Sequence, residues 1–170
     1  MNNNTFNNCT NCPYSQTITT LSPIGIENNG SSTLLVFQSP GNDEWTRKTI
    51  SGKRIPIDSI SPHSAANRMR KSFVRKKVLR TSYDITEAVK CYPGKGKKRD
   101  KKPKKDAISI CEQYLENDII NNHYTKIVCF GEIAYDMVDS IVRKNNIQVN
   151  YVKAPHPSSG VSNDTLNNSY

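Results

Sequence analysis

Four short apolar stretches punctuate an otherwise polar chain: TLLVFQ at 33–38, YDITEAVK at 83–90, KIVCFG at 126–131, and a weaker one at 149–153. Continuous apolar runs of this length mark strands buried on both faces, as in a parallel sheet. Between the first two, Ala65, Met69, Phe73, Val74 and Val78 recur at helical spacing with Arg and Lys opposite, which predicts a helix over 64–79. Asp106 is placed to cap a second helix running through Cys111 and Leu115. Gly131 opens a third, to about residue 143. Ser39-Pro40-Gly41 ends the first strand as a turn, and 13–32 and 42–63 read as loops. Strands alternating with helices predict a three-layer α/β/α domain around a mostly parallel four-stranded sheet.

Sheets of this kind bind ligands outside the carboxyl ends of their strands. Three segments rich in reactive side chains fall there: 38–44, 87–91 and 156–159. The expected organisation is a disordered Asn-rich start at 1–8, one domain over 9–160 and a polar tail over 161–170.

Composition adds a partner. Twenty-four Lys and Arg against 15 Asp and Glu leave a net charge of +9, which suits a polyanion such as nucleic acid. A solvated basic face is the plainer alternative. Residues 94–105, GKGKKRDKKPKK, carry eight of the basic side chains. No run approaches the ~20 apolar residues that span a bilayer, and MNNNTFNN has no signal-peptide pattern. A cytoplasmic monomer is therefore expected, without a membrane. Five cysteines in such a chain point to metal before disulfides, and four thiolates suit a 4Fe–4S cluster or tetrahedral zinc.

Five fragments, in order, resemble the uracil-DNA glycosylase superfamily, most closely its iron–sulfur branch (family 4). They are Phe37-Gln38-Ser39-Pro40-Gly41-Asn42-Asp43-Glu44, Thr86-Glu87-Ala88-Val89-Lys90-Cys91-Tyr92-Pro93, Pro103 to Cys111 with Tyr114-Leu115, Phe130-Gly131-Glu132-Ile133-Ala134, and His156-Pro157-Ser158. The likeness spans about 9–160 and implies a DNA glycosylase that flips a base and hydrolyses its N-glycosidic bond. It implies that Cys9, Cys12, Cys91 and Cys111 hold a 4Fe–4S cluster, although 19 residues between Cys91 and Cys111 exceed the usual spacing. Cys129, outside that set, reads as a buried small hydrophobe.

The resemblance also assigns roles. His156 faces the base's O2 oxygen, and Asp43 is the first choice to polarise water, with a solvated loop the alternative for Asp43 and Glu44. Gln38, Ser39, Gly41 and Glu87 would line the base. Pro40, Lys97, Lys98, Arg99, Ser158, Ser159 and Val161 would meet DNA, together with Arg68, Arg70, Lys71, Arg75 and Lys76. Glu87 departs from the family, which has Asn there. An ionised carboxylate cannot donate to uracil O4, so Glu87 suits a cytosine-type base, such as a 5-substituted cytosine of viral DNA met in antiviral defence. A raised Glu87 pKa would rescue uracil, and a Glu87 turned to Lys90 or Arg54 would read nothing. The alternatives are a repair uracil-DNA glycosylase, a non-catalytic DNA-binding module and an unrelated zinc protein.

Overall fold

The structure is a computed structural model and describes residues 9–15, 21–97, 99–158 and 160–170. Four strands, β1 (Thr33–Phe37), β2 (Asp84–Glu87), β3 (Lys126–Phe130) and β4 (Asn150–Ala154), form one sheet in the order β2-β1-β3-β4. Every pairing is parallel, so all four carboxyl ends lie on one edge. Phe37 pairs with Glu87 and Phe130 with Ala154, which sets the last residues of neighbouring strands level.

The pleat explains the layers. In β1, Leu34 and Val36 face one side while Leu35 and Phe37 face the other, and all four are fully buried. The first side packs on α3 (Lys105–Ile120) and α4 (Glu132–Lys144) through Leu115, Val138 and Ile141. The second packs on α2 (Ala65–Lys76) through Met69 and Phe73. The expected three-layer α/β/α architecture is present. Among the described residues no helix is long and apolar enough to cross a membrane.

Several local expectations change. The 42–63 loop starts with a short helix, α1 (Asn42–Trp45), and closes on itself by a bridge between Thr49 and Ser59. Lys104, not Asp106, sits at the N-cap of α3, and Asp106 lies in the first turn, where its charge suits the helix dipole. Val74 points to solvent with 76 % exposure, because Ser72 and Phe73 take the buried face of α2. Described residues of the lysine-rich run close a hairpin: Lys95 bridges Asp100, and Gly96 N–H donates to Arg99 O at 2.8 Å.

The last ten residues are a packed segment rather than a tail. They carry α5 (Asn163–Asn167), whose Leu166 is fully buried. Tyr170 meets Phe73 and Phe130 edge-on at 6.0 and 5.8 Å, and Lys76 lies 4.0 Å over its ring. Residues 1–8, Lys98 and Ser159 lie outside the described residues.

Candidate active site

The carboxyl edge of the sheet gathers Gln38–Glu44 after β1, Glu87 at the end of β2, Gly131 after β3 and His156 two residues past β4. Glu87 is the least ordinary of these. It is 1 % exposed, and neither carboxyl oxygen has a hydrogen-bond partner. The neighbouring cations do not reach it. Lys90, also buried, donates to Thr86 Oγ1 and Asp118 Oδ2, both at 2.5 Å. Arg54 stacks 4.4 Å over Trp45 and donates through Nε to Trp45 O at 3.1 Å. Neither pairing that would turn Glu87 away from the site is made.

Burial, and then the nearby Glu44 carboxyl, push the Glu87 pKa well above the ordinary carboxylate range. Lys90, the Ile57 amide and Arg80 pull in the opposite direction, but less strongly. The Ile57 amide is near enough to act electrostatically without meeting hydrogen-bond geometry. Ile57 is itself strained, a β-branched residue at φ +50°. Arg80, paired to Glu27, holds that turn through Pro56 O and Ile57 O.

Glu44 was as readily a solvated loop residue on sequence alone, yet it is 4 % exposed. Its Oε1 accepts from Ser59 N–H at 3.0 Å, and burial raises its pKa. Ser59 Oγ donates to Asp43, which is half-buried. One residue of the 49–59 loop thus braces both acids of α1. Gly41 lies between them and the hairpin. A Cβ built there would sit 2.8 Å from Glu44 Oε2 and 3.7 Å from Asp100 Oδ2. Gln38 and Ser39 are half-buried, and Pro40 is buried.

His156 is half-buried, and its Nδ1 accepts the Ser158 backbone N–H at 3.2 Å. An accepting Nδ1 places the neutral ring's proton on Nε2. Burial lowers its pKa to about 4, so the imidazole is neutral at pH 7. Its loop is pinned by Arg68, expected on phosphates, which donates to Pro157 O and Val161 O. Lys76, likewise expected on phosphates, is taken up by Asn167 O and Tyr170 O. Ser158, Lys97 and Arg99 are exposed, as are Lys71 and Arg75.

The cysteines form a second locus. Cys9, Cys12, Cys91 and Cys111 are each 6 % exposed or less and share one buried cluster. Burial raises the Cys91 and Cys111 thiols, Cys111 to about 11, and the other thiols add to this. Thiols suit a soft metal or a cluster in kind. Among the described residues, no three His, Cys, Asp or Glu groups are drawn to ligand distance. Cys129 is fully buried, with its pKa pushed to about 12 by burial.

Fold and site together define a parallel α/β protein with a buried acid and a neutral imidazole on one sheet edge. The uracil DNA glycosylase superfamily model matches residues 25–169, and the chain belongs to that superfamily. Membership implies DNA glycosylase activity in general, and DNA as the partner. The matched span contains Cys91 and Cys111 and begins after Cys9 and Cys12. A search of curated proteins finds no match.

Proposed function

We propose that this chain excises uracil from DNA, with Glu87 reading the base as a neutral carboxylic acid. The observation that carries the reading is the full burial of Glu87 with both oxygens unpartnered beside a second buried carboxyl. A protonated carboxyl offers one acceptor and one donor, the same pair as the Asn amide that the superfamily uses here. It accepts N3–H and donates to O4 of uracil. An ionised Glu87 was the premise of the modified-cytosine and antiviral reading, and the raised Glu87 pKa weighs against that premise.

The remaining roles follow from the chemistry. As the glycosidic bond breaks, the base leaves with the bonding pair and its charge spreads onto O2 and O4. Nε2–H of His156 donates to O2 without first gaining a proton, and Asp43 orients the attacking water. A neutral donor spares the site the cost of burying an imidazolium. Exposed Lys97 and Arg99, with Lys98, meet the phosphates. Ser158, Ser159 and Val161 flank the extruded nucleotide.

Cys9, Cys12, Cys91 and Cys111 would hold a 4Fe–4S cluster, with zinc as the alternative. When bound, it would supply a cross-link between the N-terminal turn, the segment after β2 and α3, and no reaction step. Arg54 favours charge at that locus: its Nη2 is buried without a partner, and Cys91 is among the groups that act on it.

Mass spectrometry of bases released from duplexes containing uracil, cytosine or glucosylated 5-hydroxymethylcytosine tests the substrate. Release of uracil alone is expected. Release of the modified cytosine without uracil would overturn the reading.

A further inference from the structure

Asp100 is the sole acid in the run 94–105, and the fold gives it a specific address. The hairpin turns tightly at Gly96, where an added Cβ would meet Arg99 O at 2.7 Å. It closes with Lys101 N–H donating to Gly94 O at 2.8 Å. Tyr92 Oη donates to Asp100 Oδ1 at 2.9 Å, and Lys95 Nζ stands 3.5 Å from the same oxygen. Burial and the Asp100 contact push the Tyr92 phenol up to about 12, so it remains a donor. The other oxygen, Oδ2, faces Gly41. It and Glu44 Oε2 lie 3.7 and 2.8 Å from one point above that glycine, hence within 6.5 Å of each other. Glu44 in turn acts on Glu87, the fully buried acid with no partner. The hairpin of lysines therefore sets a carboxylate beside Gly41, on the side of Glu44 that also neighbours the buried Glu87.

We propose that Asp100 is a catalytic residue of base excision, its Oδ2 stabilising the positive charge that builds on the deoxyribose as the base departs. This rests on the glycosylase reading above. The glycosidic bond breaks with its electron pair going to the base, and C1′ becomes electron-poor. Water then bonds to C1′ and its proton ends on the base, so Asp100 emerges unchanged. A carboxylate fixed beside that carbon lowers the barrier because its charge is in place before the cation forms. Asp43, held at its Oδ2 by Ser59, keeps the separate task of orienting the water. The location also ties chemistry to binding, because phosphates that engage Lys97 and Arg99 engage the element that carries Asp100.

The test is single-turnover excision from uracil DNA by wild type, Asp100→Asn and Tyr92→Phe, with melting temperature and affinity for an abasic-site duplex measured alongside. Asn keeps an oxygen for the Tyr92 hydroxyl and loses only the charge. Asp100→Asn is expected to lose about 100-fold in rate, with affinity and melting unchanged. Tyr92→Phe, which loses the tether and keeps the carboxylate, is expected to lose less than about 10-fold. An Asp100→Asn rate within about threefold of wild type overturns the proposal while leaving the glycosylase reading intact. Equal losses in the two variants, with lowered melting temperatures, assign Asp100 a structural role and also overturn it. Wild type that releases no base overturns both.

Discussion

Gly131 packs directly on His156: a Cβ built on the glycine would lie 3.4 Å from the histidine Cβ and 3.6 Å from Cδ2. Gly131 also adopts φ +95° and ψ 173°, a region that glycine alone enters readily. It thereby opens α4 and makes room for the imidazole in one step. Gly131→Ala should cost about 1–3 kcal/mol in denaturant melts, and should reduce excision by more than that loss of folded protein explains.

His156 is expected to act as a neutral donor, so its own titration should leave no inflection in the excision rate between pH 5.5 and 8. Its folded pKa is depressed, from 6.5 to about 4. The stability linked to it is therefore present above about pH 6.5 and is lost as pH falls toward 4. Melting temperature against pH should show this loss, and His156→Gln should flatten it. The same substitution should slow excision about 100-fold or more.

Glu87 gives the opposite sign. Its folded pKa is raised, so the stability linked to its protonated form is full below about pH 4.5 and falls as pH rises through the folded value. Each pKa unit of elevation corresponds to about 1.4 kcal/mol. Glu87→Gln cannot ionise, so it should be more stable than wild type at pH 8 and equal to it near pH 4. Urea denaturation at the two pH values checks this.

Lys90 and Asp118 are a buried ion pair 2 % and 1 % exposed at their side chains, with Thr86 bonded to both. Removing one partner strands the other's charge, at a cost of about 3–5 kcal/mol. Asp118→Ala should therefore destabilise strongly, whereas the double change Lys90→Met with Asp118→Leu should recover much of the loss. A double-mutant cycle in urea measures the difference.

Cys91→Ser should abolish bound metal and lower the melting temperature, while Cys129→Ser should leave the metal content as in wild type. Elemental analysis with the visible spectrum distinguishes iron with a brown absorbance from zinc.

The sheet was legible because parallel strands buried on both faces must be continuous apolar runs, and 33–38 and 126–131 are such runs. The carboxyl-edge site followed from that topology. What stayed hidden depends on contacts between distant polar residues. Nothing local distinguishes the buried Glu44 from the half-exposed Asp43, although Trp45 beside it was a sign that α1 packs inward. The hairpin reads as bare charge, since its order comes from Gly96 and the Tyr92–Asp100 bond. The last ten residues are polar except for Val161, Leu166 and Tyr170, and a helix of five residues is too short to show periodicity.

Uracil release by Glu87→Gln, compared with wild type at pH 8, is the most direct test of the neutral-acid reading. Gln presents the donor and acceptor of a protonated Glu and cannot lose the proton. The account predicts a Glu87→Gln rate equal to or above that of wild type at pH 8, with the wild-type rate falling further as pH rises. A variant that releases no uracil while wild type does would contradict it.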